Sequence, residues 1–433
     1  MTGGADPPQI AYSQWLHACK QAGWPGTPAA ELVAVRDGLG RVLAAEVRAR
    51  WSVPRFACAA MDGIAISIAA VPPDAGEAGP WRLAAGTFVP VDTGDPMPPG
   101  TDTVLIREHV TPGRDGSAQI RGATRRGRHV RPTGEDIEAG ELLLPAGHRL
   151  GPADLAAIAA TGHSTVPAAR RPVVAIIPTG DEIQPAGSAL GPADVVDSNS
   201  LMLAARAGQV GAVPLVRDIQ PDDRETIAAE LRRAAVAADL VVIIAGSSAG
   251  RDDYTTAVIA EAGELAVSGV AVRPGRPALL GYVRPGAGPD ADPVPVIGIP
   301  GYPLAAAVTF ELFAVPLLAA LQGCPTPDRS WQEVRLGCDW DSPPGVEEWV
   351  PVTLGAPDVL GAPGIVGARD VLGARGVSCG DGALVAMPQR RGAGTISQLM
   401  RASAWWPIPI GQGHFAGGES VHVHPLPGAG GWG

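Results

Sequence analysis

Lysine is almost missing from this chain: of its 33 basic residues only Lys20 is a lysine, and the remainder are arginine. The formal net charge is −11, which argues against a broad basic surface for nucleic acid and requires any anionic ligand to find a local cationic pocket. Cysteine is scarce. Its five copies, Cys19, Cys58, Cys324, Cys338 and Cys379, are odd in number and lack metal-ligand spacing, which predicts a reduced compartment and no disulfide framework. Long apolar runs are missing too. The longest, Leu240 to Ala245, falls far short of the ~20 residues of a membrane helix, so no membrane association is expected. The opening Met-Thr-Gly-Gly-Ala-Asp-Pro-Pro has neither a basic region nor an apolar segment, so a secretory signal is not expected and a cytoplasmic protein is.

What is present is length and alternation. At roughly 150 residues per domain, the chain predicts about three domains. Residues 9–47 carry helical periodicity through Ile10, Trp15, Ala18, Leu32, Leu43 and Val47. Short strands and turns follow to Glu108, then an arginine-rich stretch at 113–131 that reads as exposed hairpin loops, and a helix over 151–164 between Gly151-Pro152 and Gly162. From Arg171 to Gly323, Val/Ile-rich runs alternate with helical patterns, which predicts a mostly parallel sheet covered on both faces. The last hundred residues read as a small β-domain, with a Gly/Ala-rich loop at 355–376 and a flexible tail at 427–433.

The most informative stretch is Pro295 to Glu311. An apolar strand ends at Pro300-Gly301-Tyr302-Pro303 and a helical pattern begins at once; backbone N–H groups at such a turn are a seat for phosphate. Just upstream, Arg273-Pro274-Gly275-Arg276-Pro277 holds two cations in a proline frame suited to an oxyanion. A glycine/serine loop, Gly246-Ser247-Ser248-Ala249-Gly250, follows the strongest strand and leads to Asp253; its N–H and hydroxyl groups suit phosphate. Thr179-Gly180-Asp181-Glu182 ends another strand, where open parallel sheets bind ligands; Asp181 or Glu182 holds Mg²⁺ or ligand there, or the segment is a turn with a helix cap. Asn199 lies in Asp197-Ser198-Asn199-Ser200, a helix start in which capping and ligand contact are compatible. Asp222, with Glu225, reads as a capping box, again compatible with a site. His422 and His424 alternate on a strand, with His414 nearby, and an exposed strand face explains them better than a metal pair. No Ser/His/Asp or Cys/His nucleophile arrangement stands out.

Six or more ordered motifs together resemble the molybdopterin molybdenumtransferase (MoeA-like) family over roughly residues 9–426. Ala60-Met61-Asp62-Gly63-Ile64-Ala65, on composition alone a turn before a strand, resembles the family's Ser-Ala-Met-Asp-Gly-Tyr-Ala-Val, with Cys58-Ala59 replacing a polar pair. Thr93-Gly94-Asp95-Pro96-Met97-Pro98, running on to Gly100, Asp102, Val104 and Glu108, matches Thr-Gly-x-Pro-x-Pro-x-Gly-x-Asp-x-Val and its later Glu; Asp136 closes Arg131-Pro-Thr-Gly-Glu-Asp. The 245–255 segment resembles Gly-Gly-Val-Ser-x-Gly-x-x-Asp-Tyr-Thr, departing at Ala245 and Ser247, and the arginine loop resembles Lys-Pro-Gly-Lys-Pro, with Gly269 where a further lysine often stands.

The resemblance implies four parts: a helical linker domain (1–47 with 138–170), a β-rich domain (48–137), a MogA-like three-layer α/β domain (171–325) and a C-terminal β-barrel-like domain (328–426). It implies insertion of molybdate, or tungstate, into adenylylated molybdopterin with Mg²⁺-dependent release of AMP. Asp62, Asp136, Glu182, Asp222 and Asp253 are the implied catalytic acids, with Glu182, Asp222 and Asp253 on the metal. Thr93, Thr179, Gly180, Asp181, Asn199, Gly246, Ser247, Ser248, Gly250, Arg273, Arg276, Pro300, Gly301 and Pro303 bind substrate. The implied partners are a second copy in a homodimer, the adenylyltransferase, and recipient molybdoenzymes or their chaperones. Two alternatives stay open: a non-catalytic cofactor-binding paralog or scaffold, favoured by Gly269, the arginine substitutions and Cys58-Ala59, and molybdopterin adenylyltransferase, which normally lacks the Met-Asp-Gly and Thr-Gly-x-Pro domains.

Overall fold

The computed structural model describes residues 5–26, 29–73, 75, 80–245, 254–285, 291–325, 331–355, 384–392 and 395–426. The predicted loop residues Gly246, Ser247, Ser248, Gly250 and Asp253, most of the 355–376 loop and the 427–433 tail lie outside them. The chain divides into two compact units, residues 1–29 with 170–433, and residues 30–169.

In the larger unit, a six-stranded sheet runs in the order Val213–Val216, Val173–Pro178, Leu240–Ala245, Val294–Pro300, Leu279–Val283, Gly263–Ser268. The first four strands are parallel and the last two antiparallel. Because strand side chains alternate between faces, Val174 and Ile176 enter a core with Trp15, Leu203 and Phe313, while Ala175 and Ile177 enter a second core with Ile227, Leu231 and Val258. Both faces are therefore covered, which is why the strands read as unbroken apolar runs. Truncating fully buried Ile176 to alanine would cost about 2–5 kcal/mol.

The first helix, Pro8–Gln21, groups with this unit. Trp15 is fully buried and its indole N–H donates to the Gly281 carbonyl at 2.6 Å. Burial of its neighbour Cys19 pushes that thiol up to about 12, so it serves as a small apolar side chain. The helix stops at Gly23 and Pro25, and Leu32, expected on a helix, lies on the strand Ala30–Ala34. The segment Pro303–Leu321 is helical throughout, with a wider π turn at Phe310–Ala314 just before Pro316. It is long and apolar enough to cross a membrane, yet 78% of its apolar window is buried in the first core. A single charge, Glu311, interrupts its apolar sequence.

A closed five-stranded barrel completes the unit: Glu347–Gly355 pairs with Val385–Pro388 and Ala404–Ile408, and Gln332–Leu336 and Ser420–Pro425 close the ring. His424 corrects the expectation of an exposed strand face. It is 5% exposed, with its ring 3.7 Å from that of Trp331 and 6.3 Å from that of Trp349, while His422 stays exposed.

The smaller unit has two main apolar clusters. One gathers Leu43, Val47, Leu150, Ile158 and Val166 around the helix Pro152–Ala160, and the other gathers Ile64, Ile66, Trp81, Leu83 and Ile120 between two small sheets.

Candidate functional site

The Met61-Asp62-Gly63 turn lies between two other sequence motifs. On one side the Ala59 N–H donates to the Asp95 carbonyl, the Ala59 carbonyl accepts from the Gly94 N–H, and the Met97 N–H donates to the Ala57 carbonyl; on the other, Val130–Arg131 pairs antiparallel with Cys58–Ala59. Asp62 Oδ1 accepts from the backbone N–H and the hydroxyl of Thr93, both at 2.8 Å, and Arg107 approaches Oδ2 at 3.6 Å. Those Thr93 bonds first, and Arg107 after them, hold the Asp62 carboxyl below its usual range. The glycine of the motif has a steric reason: a Cβ on Gly63 would lie 1.9 Å from the Leu105 carbonyl oxygen. Asp136 is exposed, with its backbone N–H bonded to the Val53 carbonyl, and it sits in the segment that continues from Arg131.

In the larger unit, the predicted residues gather at the carboxyl ends of the parallel strands, where such sheets bind ligands. Thr179 is buried and both its N–H and its hydroxyl donate to the Ile244 carbonyl at 3.0 Å, so its hydroxyl ties two strands together. Gly180 donates to the Gln220 carbonyl, and Asp181 Oδ1 accepts the Asp222 N–H at 3.1 Å. Gly180 and Asp181, with Asp197 and Ser200, line a cavity of about 710 Å³. Glu182 folds back over Gly180, where an added Cβ would meet Glu182 Oε2 at 2.9 Å.

The helix Arg224–Ala237 is capped by Asp223, whose carboxylate accepts from the Thr226 N–H at 2.8 Å and the Thr226 hydroxyl at 2.6 Å. That replaces the expected capping box at Asp222, one residue earlier. Asn199, 8% exposed, donates from its amide to the Gly301 carbonyl at 2.6 Å. Among the described residues, Asn199 Oδ1 and Ser200 Oγ are buried without hydrogen-bond partners, so polar capacity remains beside the Pro300-Gly301 turn.

The arginine loop is a rigid frame. Gly269 donates to Ala278, Val270 to Arg276 and Ala278 to Gly275, while Ala271 donates to Asp6 and accepts from Glu347. Gly275 has φ +121°, a conformation that other residues rarely adopt, and a Cβ there would stand 3.0 Å from Thr309 Oγ1. Thr309 is fully buried and its hydroxyl has no partner among the described residues. Arg273 and Arg276 are exposed, and no ion pair or hydrogen bond engages either side chain among the described residues. They line a cleft of about 740 Å³ together with Pro300, Tyr302, Trp340 and Trp349. Two motifs that the sequence keeps apart, the arginine loop and the Pro300–Tyr302 turn, therefore share one cleft.

Three further cleft residues escaped the sequence reading: Glu348, Arg390 and Arg391, all from the barrel. The adjacent arginines Arg390-Arg391 before Gly392, just after a strand, were the available signal.

Comparison with known proteins gives concordant matches. Residues 10–162 match the family described as MoeA N-terminal region (domain I and II), and residues 175–320 match the one described as "Probable molybdopterin binding domain". The chain is 32% identical over 362 residues to molybdopterin molybdenumtransferase 2 of Mycobacterium tuberculosis, covering 79% of this chain and 85% of that protein. It is 30% identical over 333 residues to the molybdopterin molybdenumtransferase of Bacillus subtilis, covering 72% of this chain and 75% of that one. Among solved structures, a molybdopterin biosynthesis MoeA protein from Pyrococcus horikoshii superposes with a TM-score of 0.78 at 28% identity, covering 99% of this chain and 100% of that one.

Proposed function

The chain belongs to the molybdopterin molybdenumtransferase (MoeA) family, transferases of molybdenum cofactor biosynthesis; from that premise we propose that it inserts molybdate, or tungstate, into adenylylated molybdopterin and releases AMP with Mg²⁺ present. The observation that carries the reading is the shared cleft, in which uncommitted Arg273 and Arg276 face the same space as the Pro300–Tyr302 turn. Guanidinium groups grip tetrahedral oxyanions through paired donors, and the proline frame fixes where those donors point. The Pro300–Tyr302 turn, anchored through Asn199 at the Gly301 carbonyl, offers the Gly301 and Tyr302 N–H groups to phosphate. The 246–253 loop, with Ser248, Gly250 and Asp253, takes part in the same phosphate and pterin binding in this proposal.

The proposed metal fits the donor chemistry. Glu182 and Asp222, with Asp253, offer hard carboxylate oxygens, the kind Mg²⁺ takes. Asp253 lies outside the described residues, and Mg²⁺ bound to a nucleotide characteristically keeps waters and phosphate oxygens beside its carboxylate ligands. When bound, Mg²⁺ would neutralise phosphate charge. Asp222 and Asp253 would orient the water that adds across the adenylyl anhydride, breaking its phosphorus–oxygen bond and freeing AMP.

A cytoplasmic homodimer is part of this proposal. The implied acids fall in two separate units, Asp62 and Asp136 in one and Glu182 and Asp222 in the other, and a second copy would bring the two sets together. Mixing inactive Asp62→Ala and Asp253→Ala proteins and allowing subunit exchange should restore activity; no recovery would remove the shared-site arrangement. The reaction itself is tested by following molybdenum incorporation into pterin with purified protein, adenylylated molybdopterin, Mg²⁺ and molybdate. The non-catalytic alternative predicts pterin binding with no metal incorporation.

A further inference from the structure

We propose that Arg391 is an anion-binding residue of the 740 Å³ cleft and that the buried Glu348 is its positioning residue. The ligand is a tetrahedral oxyanion group, either a substrate phosphate or the free metal oxyanion. The inference rests on the cleft reading above but goes to residues of the barrel.

Glu348 is 3% exposed on the strand Glu347–Gly355, and a carboxylate so buried is costly unless paired and hydrogen-bonded. Its Oε1 accepts from Arg391 Nε at 3.2 Å, and its Oε2 accepts from Arg391 Nη2 at 3.5 Å and from the Trp340 indole N–H at 3.0 Å. Arg391 Nη2 also donates to the Asp341 carbonyl, and the guanidinium carbon lies 4.5 Å over the Trp340 ring. A guanidinium has five N–H donors. One on Nε and two on Nη2 are thus committed, one face is covered, and the two donors on Nη1 have no partner among the described residues. The side chain keeps 41% exposure and lines the cleft. A pair that served only to neutralise Glu348 would leave the guanidinium free to turn; here three contacts fix it. Glu348 also stands opposite Arg273 in the parallel pairing of Val272–Arg273 with Glu347–Glu348. One strand position therefore sets both the arginine loop and the Arg391 clamp.

The sign of one substitution separates positioning from simple charge. Removing the negative charge of Glu348 makes the cleft more positive, so a Glu348 acting through its field alone would weaken anion binding in the parent. Glu348→Gln would then bind anions more tightly. If Glu348 instead holds Arg391 in place, Glu348→Gln loosens the donor and binding weakens.

Calorimetric titration of the full-length protein at low salt, with inorganic phosphate and with tungstate in separate arms, reads this directly. Arg391→Gln should weaken binding of at least one anion about tenfold, as expected for a lost charge-assisted hydrogen bond. The arm that responds identifies the source. Glu348→Gln should weaken the same arm several-fold, and the double variant should be no weaker than Arg391→Gln alone. Trp340→Leu, which removes the platform and one Glu348 partner, supplies the same cycle if Glu348→Gln does not fold. Tighter or unchanged binding in Glu348→Gln, additive losses in the double variant, or no anion binding by the parent would each overturn the proposal. Binding is measured without turnover, so parent protein that binds the anion through Arg391 yet incorporates no molybdenum would sink the functional reading alone.

Discussion

The Asn199 amide donates to the Gly301 carbonyl oxygen at 2.6 Å, tying the first residue of one helix to the turn that ends the central strand Val294–Pro300. The bond joins two segments a hundred residues apart at the place where substrate phosphate is proposed to sit. Asn199→Ala strands a carbonyl and should cost about 1–3 kcal/mol, read as a lower urea midpoint. AMP release should fall further than that loss explains, because the turn is no longer fixed. A loss of activity merely in step with unfolding would make the bond structural only.

Asp62 and Thr93 give a pH prediction with a definite sign. Two hydrogen bonds from Thr93 depress the Asp62 carboxyl, so the interaction is fully present above the ordinary carboxylate range and is lost as pH falls through the lowered folded value. Thr93→Val removes the hydroxyl bond. The Asp62 carboxyl, followed by carbon NMR, should then titrate at higher pH, and the acid limb of activity should move the same way. An unmoved titration would mean that the backbone N–H alone holds it.

Adjacent acids should separate by role. Asp223 caps a helix through Thr226, so Asp223→Ala should lower the urea midpoint and leave turnover per folded molecule intact. Asp222→Asn should do the reverse. If Asp222→Asn turns over like the parent, the acid has no part in the reaction.

Arginine at 273 should be exchangeable for lysine, because the chain uses arginine almost everywhere a lysine would serve. Arg273→Lys should keep most activity, whereas Arg273→Ala should raise the molybdate or tungstate concentration for half-maximal rate about tenfold or more. Binding of adenylylated molybdopterin should change far less. An alanine variant that handles oxyanion like the parent would reduce both loop arginines to surface charges.

Much of this arrangement was legible in the chain because local chemistry and global fold agree there. The parallel strands are buried on both faces, so Val173–Pro178, Leu240–Ala245 and Val294–Pro300 show as apolar runs between helices, and turns rich in Gly and Pro announce the site. Other features depend on partners distant in sequence. Nothing near His424 indicates that Trp331 and Trp349 cover it. Thr179 reads as a site residue by position, but its hydroxyl is engaged by Ile244 across the sheet. Periodicity over 9–47 suggested helix throughout, but Gly23 and Pro25 end it and the later residues pair with Thr165–Ala169 as a strand. The Glu348–Arg391 clamp was out of reach for the same reason, since a strand and a loop of the barrel meet only in the folded chain.

Turnover is read most directly by AMP release. Purified protein given adenylylated molybdopterin, Mg²⁺ and molybdate or tungstate should release AMP in step with metal incorporation. Release should fall sharply when the oxyanion or Mg²⁺ is withheld, and Asp253→Asn should nearly abolish it with its melting temperature almost unchanged. Protein that binds adenylylated molybdopterin tightly yet releases no AMP under any of these conditions would contradict the account and identify a cofactor-binding, non-catalytic member of the family.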